Sequence, residues 1–142
     1  MATSTSLVQS SWQQVLPIRD SAAEWLYAAL FELDPALRSL FKGDMKTHGM
    51  KLITLIGVAV NNLEHPGTLL PVLRGLGARH ATYGVKDHHY ETMGVALMDT
   101  LQRGLGEAFT PEVKRAWIEV YGVLAGAMKD AAATSTADRL VA

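Results

Sequence analysis

The chain contains the stretch Leu76-Gly-Ala-Arg-His80-Ala-Thr-Tyr-Gly-Val-Lys86. This stretch places a histidine in a predicted helix that ends at a glycine turn. Apolar residues precede His80 at three- and four-residue spacing, which predicts an amphipathic helix with His80 on its buried face. Thr68 is expected to cap this helix and Gly84 to end it. The apolar residues of this stripe are Leu69, Val72, Leu73 and Leu76.

His80 needs a partner in such a position, because an unpaired buried polar group costs about 1–3 kcal/mol. A neutral imidazole is a good ligand for haem iron, and the surrounding Leu and Val side chains would bury a porphyrin. A core histidine bonded to a backbone carbonyl explains the same pattern. The stretch alone leaves both interpretations open.

A second histidine faces the predicted core from the preceding helix. His48 lies one turn before Leu52 on a long helix that is expected to run from about residue 46 to residue 64. The sequence His65-Pro66-Gly67 stops this helix before the helix of His80 begins. Two helices joined in this way can hold a flat ligand between them, each pointing an imidazole inward.

The rest of the chain also shows helical spacing and no sustained alternation typical of strands. Ser6 with Gln9 resembles a capping box at the start of the first helix, and Pro17 breaks the chain after it. Asp34-Pro35 opens a short helix that ends at Phe41.

The last predicted helix opens at Thr110-Pro111-Glu112, with a cap, a proline and an acidic residue in its first turn. We therefore expect an all-α fold of about seven helices, one of them short. One domain is predicted over residues 1–130. The segment rich in Ala, Thr and Ser over residues 131–142 is expected to be a flexible tail.

The composition excludes several classes of protein. A net charge of −1 without a Lys/Arg-rich block predicts no nucleic-acid partner. The absence of cysteine excludes disulfides, thiolate nucleophiles and Cys-ligated zinc or iron–sulfur sites. The longest apolar stretch, Leu52 to Val60, is too short to span a bilayer, and the N-terminus lacks the features of a signal peptide. We therefore expect a cytoplasmic protein without a membrane association.

Several motifs resemble those of neuroglobins and of the globin domains of bacterial flavohaemoglobins, and the resemblance extends from Leu7 to Met128. It implies a globin fold around a haem pocket. The motifs are Leu76 to Lys86, Gly106-Glu-Ala-Phe-Thr-Pro111, Arg115-Ala-Trp117, Tyr121-Gly122, and Asp34-Pro35 leading to Leu40-Phe41.

The resemblance implies haem b as the cofactor, with His80 as the proximal iron ligand and His48 as the distal histidine. Phe41 would lie against the porphyrin face and Leu52 would be the apolar residue one turn after His48. Lys51 would pair with a haem propionate, although a solvated surface lysine would look the same in sequence.

On the ligand side, Tyr27 matches the distal tyrosine of flavohaemoglobins, whose hydroxyl could donate to a bound ligand. The proximal side would be lined by Val85, Tyr90, Met93 and Leu97, whose types ordinary core packing explains equally well. Of the other histidines, either His88 or His89 could meet a haem propionate, but we expect both to be exposed to solvent, and His65 to lie in a loop.

The chain also departs from these families. It lacks the cysteines of vertebrate neuroglobins, so no thiol switch can set its ligand affinity. Flavohaemoglobins carry a late glutamate that polarises the proximal histidine through a tyrosine. Tyr90 matches this tyrosine, but the position of the acid falls near Thr134. No flavin- or nicotinamide-binding motif occurs, so redox turnover would need an external reductase.

The expected function is the reversible binding of a diatomic gas ligand, O2, NO or CO. His48 either binds the iron directly, giving bis-histidyl coordination with His80, or joins Tyr27 in donating hydrogen bonds to the ligand. Nitric oxide dioxygenase or peroxidase-like activity is an associated expectation. The alternative is a haem-based gas or redox sensor acting through a partner protein, and a third interpretation is a haem-free domain of globin-like shape.

Overall fold

The computed structural model describes residues 3–41 and 43–141, with side chains described up to residue 133. Six α-helices and three 3-10 segments make up this part of the chain, which contains no strand. The predicted all-α class is confirmed. The predicted count of about seven helices is close, because the short helix expected after Asp34 is a 3-10 helix.

The helices follow one another with short connections. The first 3-10 segment, Leu16–Ile18, is the break predicted at Pro17. No helix in the described ranges is long and apolar enough to cross a membrane. The α-helices are α1 (Ser4–Val15), α2 (Arg19–Leu33), α3 (Met45–Asn61), α4 (Pro66–Thr82), α5 (Asp87–Leu105) and α6 (Pro111–Val141), and the other 3-10 segments are Pro35–Leu40 and Gly106–Ala108.

Two helix starts differ from the predicted ones. Thr3 caps α1, because its hydroxyl accepts a hydrogen bond from the Ser6 N–H at 3.0 Å while Ser6 Oγ accepts one from the Thr3 N–H. Ser6 is therefore the third helical residue of this capping box and not its first member. α4 begins at Pro66, before the predicted cap Thr68, because a proline at the first helical position needs no acceptor for an N–H.

The last helix is longer than the sequence pattern suggests. α6 continues to Val141, past the predicted start of the tail at Ala131. The domain limits drawn at residue 130 and the flexibility of residues 131–142 stay predictions.

α1 and α6 join the two ends of the fold through their tryptophans. The rings of Trp12 and Trp117 lie 6.1 Å apart between centroids, and both side chains are buried. Trp117 Nε1 donates to the buried Ser11 Oγ at 2.8 Å, so the indole N–H is satisfied inside the core. This contact fixes α6 against α1 and leaves the other face of α6 to pack on α4.

α4 and α6 pack closely at Gly77, where a Cβ atom would collide with the backbone of Met128. His80 lies one turn after this crossing. The Val85 N–H donates to the His80 carbonyl at 2.9 Å and the Gly84 N–H to the Ala81 carbonyl at 3.2 Å. These two bonds form a Schellman motif, and Gly84, with a φ of 93°, supplies its left-handed residue as predicted. The motif holds the backbone around His80.

Candidate functional site

An apolar cavity of about 370 Å³ lies between the helices. It is bounded by the 3-10 helix Pro35–Leu40 and by every α-helix except α1. Nine of the ten residues predicted for a ligand pocket line it: Tyr27, Phe41, His48, Leu52, His80, Val85, Tyr90, Met93 and Leu97. The fold therefore brings together two histidines and an apolar surface that the sequence places on separate helices.

His80 enters this cavity from the last turn of α4. Its Nδ1 lies 3.2 Å from the hydroxyl of Tyr90. Burial, and secondarily the neighbouring Arg79 charge, lowers the pKa of His80 below its usual value of 6.5, so the ring is neutral at pH 7. When Nδ1 carries the proton it donates to Tyr90, and Nε2 keeps a lone pair for a metal.

Tyr90 is itself held in place from α6. The hydroxyl of Tyr121 donates to the Tyr90 backbone carbonyl at 2.6 Å. Burial and then the Asp87 charge raise the pKa of Tyr90, and burial followed by the Tyr90 charge raises that of Tyr121. Both hydroxyls therefore stay protonated at neutral pH and can act as hydrogen-bond donors.

His48 lies in the first turn of α3, which Asp44 caps through a bond from the Lys46 N–H at 3.1 Å. The His48 ring packs edge-on against Phe41, with centroids 5.8 Å apart. Gly49, the next residue, lets α3 approach α2, because a Cβ there would lie 3.1 Å from the Cβ of Ala23. The tight α2–α3 contact thus sets the position of His48.

Phe41 joins His48 to an aromatic cluster on α2. Its ring meets Tyr27 and Phe31 edge-on, with centroid distances of 5.3 and 5.5 Å. Tyr27 is only 8% exposed, and burial raises its pKa to about 12. Its hydroxyl forms no hydrogen bond with the described residues. This protonated donor lines the cavity and is available to a ligand there.

The structure gives different results for Lys51 and His89. Lys51 is exposed and does not line the cavity, so its pairing with a propionate stays a prediction. His88 is exposed as expected, but His89 is half-buried and lines the cavity, so the expected exposure of His89 is wrong. Asp34, at the start of the 3-10 helix, draws His89 inward, with Oδ2 3.9 Å from His89 Nε2.

Asp34, His88 and His89 form a cluster whose ligand atoms lie within 4.8 Å of one another. The Lys86 N–H donates to His89 Nδ1 at 2.8 Å, so in the neutral ring Nε2 carries the proton and faces Asp34. Burial, followed by the His88 charge, lowers the pKa of His89, although Asp34 opposes this shift. His89 is therefore held at the cavity edge by the bond from the Lys86 N–H, with Nε2 too far from Asp34 Oδ2 for a hydrogen bond.

Sequence reasoning missed other residues of the cavity wall. Tyr121 matched a family motif, but nothing in its spacing indicated that its hydroxyl bonds the backbone of Tyr90. Leu76 belonged to a predicted helical stripe, and Leu124 lies on the last predicted helix; extending such stripes to the pocket would have identified both residues. The missed residues also include Leu37, Leu40, Ile56, Tyr83 and Met128.

The residues present fit a haem group. The cavity volume lies within the range of about 300–1,000 Å³ typical of ligand pockets, and its walls are mostly Leu, Val, Met and aromatic side chains. His80 offers a neutral imidazole whose orientation is fixed by a hydrogen bond, the arrangement found around metal-binding histidines. His48 offers a second imidazole from another helix.

Comparisons with known proteins agree with this geometry. A family model described as Globin matches residues 25–128. Neuroglobin from Danio rerio is 32% identical over 136 residues, which cover 86% of each protein.

Two further comparisons involve bacterial proteins. Flavohemoprotein from Bacillus subtilis is 32% identical over 104 residues, which are 71% of this chain and 26% of that protein. Among solved structures, an engineered carbene transferase based on a candidate nitric oxide dioxygenase from Rhodothermus marinus has a TM-score of 0.87. It is 26% identical, and the match covers 96% of both chains.

Proposed function

This chain belongs to the globin family, and on that premise we propose that it binds haem b and takes up diatomic gas ligands reversibly. The observation that carries the proposal is the apolar cavity lined by His48 and His80, with Nδ1 of His80 held by the hydroxyl of Tyr90. Bound haem would supply an iron atom that accepts a diatomic ligand and exchanges one electron. The residues of the chain decide how that iron is held and shielded.

His80 is the proximal ligand in this proposal. Its lowered pKa keeps the imidazole neutral, as metal binding requires, and the bond to Tyr90 keeps Nδ1 from competing with Nε2 for the iron. Val85, Met93 and Leu97 exclude water from this side, which favours retention of an apolar macrocycle.

His48 would be the second histidine to hold the haem iron, so that the site would be bis-histidyl. It lines the same cavity as His80, and its ring is supported by Phe41 rather than carried on a mobile surface segment. An external ligand would have to displace His48, so its apparent affinity falls in proportion to the open fraction. In a five-coordinate site, by contrast, His48 and Tyr27 would both act as hydrogen-bond donors to the ligand.

Tyr27 contributes a donor in either case. Its hydroxyl stays protonated well above neutral pH and has no hydrogen-bond partner among the described residues. A hydrogen bond to a partly anionic ligand is stronger than one between neutral groups, so Tyr27 slows ligand escape.

A further activity is favoured by the similarity to Bacillus subtilis flavohemoprotein and to the Rhodothermus marinus protein. In nitric oxide dioxygenation, nitric oxide, dioxygen and one electron give nitrate. We propose that a separate reductase supplies that electron. Purified chain without a reductase should then consume one nitric oxide per reduced site and stop.

The proposal is tested by haem titration of the purified chain, followed by absorption spectra in the oxidised and reduced states. We expect saturation at one haem per chain and sharp low-spin visible bands that persist on reduction. A chain that gains no Soret band would overturn haem binding. A broad high-spin spectrum in the reduced protein would agree with haem binding but would overturn the role of His48 as an iron ligand.

A further inference from the structure

A group of potential metal ligands lies at the edge of the cavity, apart from the residues proposed to hold the haem iron. It consists of Asp34, the N-cap of the 3-10 helix Pro35–Leu40, and of His88 and His89 in the first turn of α5. One ligand atom of each residue lies within 4.8 Å of the other two. Within the described part of the chain, no other three histidine or acidic side chains come together in this way.

We propose that Asp34, His88 and His89 bind one Zn²⁺ ion, with water completing the coordination. Imidazole nitrogens and carboxylate oxygens are both ligands of Zn²⁺, and three protein ligands leave a fourth position open. Mg²⁺ and Ca²⁺ prefer oxygen ligands alone, so two imidazoles select against them. The site does not depend on haem.

Asp34 holds one carboxylate oxygen in position for a ligand. Its Oδ1 accepts a hydrogen bond from the Ala36 N–H at 3.2 Å, which caps the 3-10 helix and orients the carboxylate. Its Oδ2 lies 3.9 Å from Nε2 of His89. This separation is too long for a hydrogen bond, whereas two ligand atoms of a tetrahedral Zn²⁺ lie about 3.4 Å apart. An ion between Oδ2 and Nε2 therefore requires only a small movement.

His89 is a partly buried imidazole, and its side chain is only 15% exposed. Burial lowers its pKa, so the ring is neutral at pH 7, as a metal ligand must be. Coordination through Nε2 moves the ring proton to Nδ1, which then gives up the hydrogen bond from the Lys86 N–H. That bond is exposed, so water replaces the imidazole as acceptor.

His88 supplies the third ligand from the surface. Its ring lies beside that of His89, with centroids 4.3 Å apart and planes inclined by 57°. Because His88 is exposed, its ring can rotate toward the ion without disturbing the core. Bound Zn²⁺ would join the 3-10 helix that leads to Phe41 to the helix that carries Tyr90, and so would link two walls of the cavity.

Nearby charges act on the ion in both directions. The first turn of α5 is the positive end of the helix dipole, and Lys86 adds a positive charge next to His89. Asp34, and Asp87 in the same turn of α5, oppose these charges. Asp34→Asn removes one of the two negative charges and keeps the cap, because asparagine caps helices as well as aspartate does.

Equilibrium dialysis of the untagged, full-length haem-loaded chain against Zn²⁺ tests the proposal, with bound zinc counted by mass spectrometry. Haem covers His48 and His80, which could otherwise compete for zinc. We expect one Zn²⁺ per chain, retained in excess Mg²⁺. Asp34→Asn should raise the zinc Kd at least tenfold, since even residues that only support a ligand contribute 10- to 100-fold. His65→Ala, which removes an exposed histidine elsewhere, should leave the Kd unchanged.

His88→Ala makes the test more specific. It should also raise the zinc Kd at least tenfold, while the melting temperature without zinc stays the same because His88 is exposed. Zinc should raise the melting temperature of the unaltered chain and have little effect on that of either variant. The haem-free chain carrying His48→Leu should bind zinc with the same stoichiometry, which separates this site from the haem proposal. A chain that binds no zinc, or a zinc Kd that Asp34→Asn and His88→Ala leave unchanged, would overturn the proposal.

Discussion

The two histidines of the cavity are held in different ways. His80 lies in a Schellman motif and is bonded by Tyr90, which is itself fixed by Tyr121. His48 lies in the first turn of α3, and its ring packs against Phe41.

This difference predicts different free energies of movement. Moving His80 away from the cavity breaks its hydrogen bond to Tyr90 and disturbs the Schellman motif that ends α4. Moving His48 opens the first turn of α3, which begins just after the left-handed Gly43. Local openings of helix ends cost far less than global unfolding. We therefore expect His80 to remain in place on the proximal side and His48 to give way to an external ligand on the distal side.

Replacement of His80 should have the largest effect. We expect His80→Ala to weaken haem binding by more than about 100-fold, since loss of residues that merely support a metal ligand already costs 10- to 100-fold. The rise in melting temperature on adding haem should shrink accordingly, because that rise depends on the affinity of the native state for haem. Soret titration and thermal melts measure both quantities.

His65→Ala is the matched control, because this exposed histidine lies outside the cavity lining. It should bind haem like the unaltered chain. Equal haem affinity in His80→Ala and His65→Ala would remove His80 from the site.

Replacement of His48 should leave haem in place and alter its spectrum. We expect His48→Leu to change the low-spin reduced spectrum into a five-coordinate, high-spin one. If the distal side is open for roughly 1–10% of the time, carbon monoxide affinity should rise by about 10- to 100-fold in this variant.

The exposed Met50 of the same helix provides the comparison, through Met50→Leu. This control should keep both the low-spin spectrum and the ligand affinity. An unchanged spectrum in His48→Leu would show that His48 is not an axial ligand.

The contrast between the two sides also shows what the sequence could predict. Local sequence features predict the helix of His80: an apolar stripe precedes the histidine and a glycine ends the helix. Pairing with Tyr90 could not be derived in this way, because it depends on the rotation of α5 against α4. Only the family resemblance singled out Tyr90.

Other errors have the same physical origin. His89 was expected in solvent, yet it lies at the cavity edge beside Asp34, which belongs to a different element. At the start of α1, Thr3 and Ser6 are both good caps, and local propensity does not choose between them. For His89 and for the pairing of His80 with Tyr90, by contrast, contacts between elements decided the outcome.

Removal of the Tyr27 hydroxyl tests the distal side with an intermediate effect. We expect Tyr27→Phe to speed dioxygen dissociation by about tenfold, which corresponds to about 1.4 kcal/mol for one hydrogen bond. The pKa of Tyr27, raised to about 12, further implies that dissociation from the unaltered chain is independent of pH between about 7 and 10. Laser-flash or stopped-flow kinetics give both results, and Phe31→Leu serves as a control for aromatic packing without a hydroxyl.

The smallest expected effect tests whether Tyr90 is what makes the proximal side rigid. Tyr90→Phe removes the acceptor for His80 Nδ1–H but keeps the ring against α6 and the backbone carbonyl that Tyr121 uses. We expect haem affinity to fall only severalfold, because one neutral hydrogen bond contributes about 0.5–1.5 kcal/mol.

The iron–histidine stretching frequency gives a second measurement. When Tyr90→Phe is added to the His48→Leu variant, the frequency of the reduced protein should fall, because an imidazole whose Nδ1–H has no acceptor is a weaker base. Tyr121→Phe in the same His48→Leu variant removes a bond that Tyr90, and not His80, accepts. The iron–histidine frequency of this variant should therefore lie closer to that of His48→Leu alone. If Tyr90→Phe leaves the iron–histidine frequency of the His48→Leu variant unchanged, the helix turn alone orients His80.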